Sequence, residues 1–152
     1  MGDINNVSEL SIADELKYDP ATGDVYTVPW TDYSNISTII GWDENGQDPI
    51  FEPKIYYKKV GKLVFCQYCI RGVSNNTQTS FSLPWADALA GYGRLCISVN
   101  LDNTSNNTLG FAYNINGVVT ITKVYTGGEN EWTASGTKDV RGSFWFEAID
   151  IV

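Results

Sequence analysis

The side chains able to do chemistry in this chain are few. Three cysteines and no histidine occur among its 152 residues. Cys66-Gln67-Tyr68-Cys69 forms a C-x-x-C motif. Such a motif serves thiol–disulfide chemistry when it opens a helix, whose N-terminus lowers the thiol pKa. Here it lies inside an alternating run, Val64, Cys66, Tyr68 and Ile70, that spells a strand. Strand positions i and i+3 face opposite sides, so the two sulfurs diverge. As a zinc site the motif is short of ligands, since Cys96 is the one further thiol and there is no imidazole. Buried, inert cysteines are expected, with no metal and no cofactor.

Other candidates are weaker. Asp43, Asn45, Gly46 and Asp48 make half of a calcium loop, without the spacing or the terminal bidentate Glu of an EF-hand. A solvated turn is the expectation there. The N-x-S/T patterns at Asn6, Asn35, Asn75, Asn103 and Asn106 read as turn chemistry in Asn- and Thr-rich loops. Asp87, Glu129, Glu131, Asp139 and Glu147 have the residue type needed for glycoside hydrolysis, but no spacing singles out two of them. The lack of histidine removes the commonest general base. The chain is therefore read as non-enzymatic. Aromatic residues beside turns remain. Trp30, Trp42 and Trp85 sit close to strand ends and read as caps on the core. Trp132, flanked by Glu129, Asn130, Glu131 and Thr133, reads as an exposed contact. With Tyr92 and Glu131 it makes the candidate receptor-contact set.

Composition narrows the partners. A net charge of −8 argues against nucleic acid, because counterion release favours basic binders. No apolar run approaches the roughly 20 residues of a membrane helix. Residues 1–16 are acidic and polar, unlike a signal peptide, which points to synthesis in a cytoplasm. The length fits one domain with a short extension.

The elements that must position these residues are mostly strands. Residues 1–18 carry the one plausible helix, with Leu10, Ile12, Ala13 and Leu16 at helical spacing. Residues 1–28 are thus expected to be a leader, helical or extended. Leu10, Ile12 and Leu16 are its candidate anchor or oligomer contacts. Asp19-Pro20-Ala21-Thr22-Gly23-Asp24 is a turn by chemistry. Residues 29–152 are expected to form an antiparallel β-sandwich of about nine short strands. Val60-Gly61 reads as a hairpin turn between residues 55–59 and 62–71, and Asn116-Gly117 is the strongest hairpin signal in the chain. Leu95, Ile97, Val99 and Leu101 alternate strictly against Arg94, Cys96, Ser98 and Asn100, a half-buried strand. The final strand, residues 143–152, is apolar on both faces: Phe144, Phe146 and Ala148 on one, Trp145, Ile149 and Ile151 on the other. One face of a two-layer sandwich is normally wet. The excess apolar surface, with Leu63 and Phe65, points to an interface between subunits in a cyclic oligomer.

Residues 30–85 also carry a resemblance. The aromatic turn WTDYSNIST, the step IIGW and the segment IYYKKVGKLVFCQYCIRGVSNNTQTSFSLP resemble a recurrent distal module of bacteriophage fibres. The resemblance implies a jelly-roll-like β-sandwich, a homotrimer, and a place on a virion fibre or capsid appendage. The short stretch before the module is more like a head fibre or decoration protein than a long tail fibre. The function so implied is a virion structural protein made in the host cytoplasm. It would attach to other virion proteins by its N-terminus and face outward toward a host-surface glycan or protein. A carbohydrate-binding module or receptor-binding adhesin is the alternative, and a glycan-degrading enzyme a more distant one.

Overall fold

The computed structural model describes residues 16–19, 21–22, 24–27, 29–89, 96–103, 107–123 and 132–151. Among these the secondary structure is all strand and turn. The first strands are β1 (Leu16–Asp19), β2 (Asp24–Thr27), β3 (Thr31–Asp32) and β4 (Ile39–Ile40). The middle of the chain supplies β5 (Glu52–Val60), β6 (Leu63–Val73), β7 (Ser80–Ser82) and β8 (Trp85–Asp87). The last are β9 (Cys96–Asp102), β10 (Thr108–Ile115), β11 (Val118–Ile121) and β12 (Thr137–Asp150).

One antiparallel sheet dominates, with strand order β3-β5-β6-β12-β9-β10-β11-β7-β4 and β8 added beside β12. It curls over a single core, so the expected sandwich-like all-β fold is present. The far edge returns toward the start: Trp42, just past β4, bridges to Ser74, just past β6. The centre is β12, 14 residues long. On one edge β12 pairs with β6 from Thr137↔Val73 to Glu147↔Leu63. On the other it pairs first with β9, from Lys138↔Asp102 to Gly142↔Ser98, and then with β8.

Local chemistry explains the turns. Asn116 and Gly117 both have positive φ, 50° and 82°, which joins β10 to β11 with Ile115 opposite Val118. Between β5 and β6 the turn is Gly61-Lys62, one residue later than the spacing suggests, with Gly61 at φ 58° and Val60 opposite Leu63. At β12 a glycine is required by packing: a Cβ on Gly142 would collide with the Tyr68 ring that lies across from it.

Where the structure describes the expected leader, it takes the extended alternative and not the helix. Leu16–Asp19 is not helical but a strand that pairs with Asp24–Thr27, from Leu16↔Thr27 to Asp19↔Asp24. A turn at Ala21 and Thr22 folds the chain back, and hairpin pairing prevails over a short helix that is marginal by itself. Leu10 and Ile12 lie outside the described residues. β12 also begins six residues before the expected start at 143.

The core contains Ile55, Val64, Cys66, Tyr68, Ile70, Phe81, Leu83, Val119, Ile121 and Phe146. Tyr68 meets Phe81 and Phe144 at ring-centroid distances of 5.2 and 6.2 Å. Each such aromatic contact adds about 1 kcal/mol beyond burial. The strand β9 is half-buried as its alternation suggests, but its phase is the reverse of the usual one. Ser98 and Asn100 are fully buried, whereas Val99 is 39% exposed.

Candidate functional site

The reversed phase of β9 builds a polar interior at one end of the sheet. Asn100 donates from Nδ2 to the carbonyls of Thr122 and Lys123, both at 2.9 Å, and accepts from Ser98 Oγ at 2.7 Å. Asp102 accepts from Thr133 N at 3.1 Å and Oγ1 at 3.0 Å, and forms an ion pair with Lys123 at 2.7 Å. These buried side chains satisfy backbone groups of segments that have left the ladder and would otherwise be unpaired.

The most unusual member of this interior is Lys138 on β12. It is fully buried, and the strand pairing places it across from Gly72 and Asp102. Its Nζ donates to the carbonyls of Gly41 (3.0 Å), Asn76 (2.9 Å) and Gln78 (3.4 Å). The rings of Trp42 and Trp132 lie 5.3 and 5.2 Å from it. An ammonium has three donors, and π faces attract a cation, so both geometries suit the charged form. Burial pushes its pKa down to about 8, and the nearby Asp102 works against that shift. Trp42 Nε1 donates to the Lys138 carbonyl at 3.1 Å, and Trp132 Nε1 to that of Ile121 at 2.9 Å. Lys138 thus ties the chain after β4 and the chain after β6 to the central strand.

Above this clasp lies an open cleft of about 380 Å³, lined by Ile39, Ile40, Gly41, Trp42, Glu44, Asn45, Asn75 and Asn76. The turn at 43–46 that forms one wall is an Asx turn, with Asn45 N donating to Asp43 Oδ1 at 2.9 Å. Asp43 therefore serves the turn, as the solvated-turn reading expects.

The outer face of the sheet has a different character. Leu63, Phe65, Trp145, Ile149 and Ile151 are exposed, Trp145 by 52%. The apolar surface continues past β12 through Val99, Leu109, Ile115 and Val118, with Leu109 58% exposed. Register aligns Lys54, Cys69, Arg141, Val99 and Leu109 in one row across five strands. Arg141 grips Asp139 with Nε at 3.0 Å and Nη2 at 2.7 Å. This carboxylate holds the guanidinium well above its ordinary pKa.

The residues singled out from sequence fall as follows. Trp132 is 2% exposed and packed against Lys138, so the expectation of an exposed contact is corrected. Its polar neighbours mark a loop, but its indole finds both a carbonyl acceptor and a cation inside. Tyr92 and Glu131 lie outside the described residues. Trp42 is buried and Trp85 packs on the core, while Trp30 stays partly exposed beneath Lys58. Cys66 faces the core and Cys69 the outer side, neither in a disulfide. Burial, and after it Asp139, pushes the Cys69 thiol up, away from the reactive thiolate. Among the carboxylates, Asp87 is buried on the inner side and accepts from Leu89 N at 3.0 Å. Asp139 and Glu147 share the outer face of β12 eight positions apart, about 26 Å along a strand. Asp139 and Glu147 are therefore much farther apart than the roughly 5–9.5 Å of a glycosidase pair. Lys138 was the residue that sequence reasoning missed. Its signal was its phase, since it shares the inward side of β12 with Val140, Phe146 and Ala148. Among the described residues no helix is long and apolar enough to cross a membrane. Comparison with family models, with curated proteins and with solved structures finds no match for this chain.

Proposed function

We propose that this chain is a non-enzymatic structural protein that assembles with copies of itself through the outer face of its curled sheet. The observation that carries the reading is the set of exposed apolar side chains on one face of successive strands, Leu63 and Phe65 on β6, Trp145 on β12, Val99 on β9 and Leu109 on β10, set among charged residues. Water-facing strands normally alternate toward polar residues on that side. Exposed apolar patches of this extent mark interaction sites.

The charge pattern favours a second copy as the occupant. Lys54, Lys58, Arg71 and Arg141 stand among Glu52, Asp139 and Glu147 on this face, in a chain of net charge −8. The acidic excess therefore lies elsewhere, and this face can approach the acidic surface of another copy without like-charge repulsion. A heterologous contact closes into a ring when its rotation divides a full turn, and a rotation of one third gives a homotrimer. The setting, a fibre or capsid-decorating appendage of a bacteriophage held by its N-terminal segment, rests on the resemblance of residues 30–85 alone. So does its jelly-roll topology.

Light scattering on the purified chain tests the assembly. The expected mass is three times 16.8 kDa, falling to the single-chain mass in Trp145→Lys or Leu109→Lys. A native chain that stays monomeric overturns the reading. Immunogold labelling of purified phage particles tests the setting: label on fibres or capsid is expected, and bare particles beside a labelled soluble fraction refute it.

A further inference from the structure

We propose that the cleft over Lys138 is a binding site for a neutral saccharide. Its upper lining is Ile40, Glu44, Asn45, Asn75 and Asn76, with Trp42 at the back. Glu44, Asn45, Asn75 and Asn76 are exposed. Asn76 uses Oδ1 to accept from Gln78 N at 2.9 Å, and its side chain is exposed. Carboxamides both donate and accept, and a carboxylate accepts from two hydroxyls at once. Together they match vicinal hydroxyl groups. Ile40, 41% exposed, gives the apolar strip on which the C–H face of a sugar ring rests.

Other ligand classes fit less well. An anion meets Glu44, and the one ammonium nearby spends its protons on Gly41, Asn76 and Gln78. A divalent cation needs several oxygen ligands of high charge, whereas the lining holds a single carboxylate. A purely apolar ligand would leave the amides unpaired.

The site is preorganised. Lys138 Nζ joins its two walls by bonding Gly41 O on one and Asn76 O on the other. Backbone bonds from Asn75 N to Gly41 O at 3.3 Å and from Asp43 N to Val73 O at 2.8 Å hold the same walls. A cleft fixed before binding loses little entropy on occupation. It sits past the Val73 end of β6, whereas Phe65 and its outer-face neighbours lie toward the Leu63 end. Phe65 and Trp145 are thus remote from the cleft, and a substitution at Trp145 tests the assembly face without touching the site.

The test uses the full-length chain on a glycan array, followed by calorimetric titration with the best-bound oligosaccharide. Binding is expected, and Asn75→Ala and Glu44→Ala are each expected to weaken it about tenfold, the loss of one hydrogen bond to a polar or charged group. Trp145→Lys, which alters the outer face, is expected to bind as the native chain does. An array without signal overturns the proposal, as does affinity that survives both cleft substitutions. Lys138→Met examines positioning: if it folds, weaker binding with unchanged stoichiometry is expected, and undiminished affinity would show that the clasp does not shape the site.

Discussion

Two strands flank β12, and they treat the same interior in opposite ways. β6 lines it with Val64, Cys66, Tyr68 and Ile70. β9 lines it with Ser98, Asn100 and Asp102 and turns Val99 outward. Both strands alternate cleanly, so the difference is one of phase. On the β6 side the interior is filled by elements within the ladder, and apolar side chains suffice. On the β9 side, the backbone at Thr122, Lys123 and Thr133 leaves the ladder and needs partners. Polar side chains face inward where irregular backbone is enclosed, and the displaced apolar residue Val99 faces outward.

Substitutions can break this contrast. The largest effect is expected on the apolar side. Phe81→Ala removes a fully buried ring that packs at a tilt on Tyr68 and should lower stability by about 4 kcal/mol in chemical denaturation. Lys138→Met should cost about 3 kcal/mol, since the carbonyls of Gly41, Asn76 and Gln78 lose their donor. A gain in stability would mean that the cation is merely tolerated. Asn100→Ala should cost about 2 kcal/mol by stranding the Thr122 and Lys123 carbonyls. Leu109→Gln, on the outer face, should change the stability of a dilute monomer by less than about 0.5 kcal/mol.

Lys138 also gives the contrast a pH dependence. Its pKa is pushed down to about 8 in the fold, against about 10.4 for an unfolded lysine. Below pH 8 both states are protonated and the buried charge carries its full desolvation cost. From pH 8 upward the folded state releases its proton first, so the unfolded state binds more protons and stability rises with pH. The native chain should therefore gain stability relative to Lys138→Met between about pH 8 and 10.4. Denaturation curves of the two proteins across that range measure it. A flat difference would show that the carbonyl and indole cage cancels the desolvation.

Much of the fold was legible because its signals are local. Asn116-Gly117 sets its turn by backbone preference alone, and the alternation of Val64 to Ile70 fixes both a strand and the divergence of Cys66 from Cys69. The phase of β9 was not legible. Alternation fixes the period of a strand, and which phase faces inward depends on what crosses the far side. Trp132 was misplaced for the same reason: its polar neighbours signal a loop, while its burial depends on Lys138 of β12 and the carbonyl of Ile121, which ends β11, three strands across the sheet. The cleft joins residues 39–45 to residues 75–76, so no single window of sequence contains it.

The central claim is that the outward apolar face of β6, β12, β9 and β10 is covered in solution. Hydroxyl-radical footprinting of the native chain, read residue by residue, tests it directly. The account predicts that Phe65, Trp145 and Leu109 oxidise slowly at concentrations where the chain assembles, and rapidly on dilution to monomer. Ile36, exposed in the segment between β3 and β4 and no part of the proposed face, should react at one rate throughout. Rapid oxidation of Trp145 and Leu109 at every concentration would contradict it.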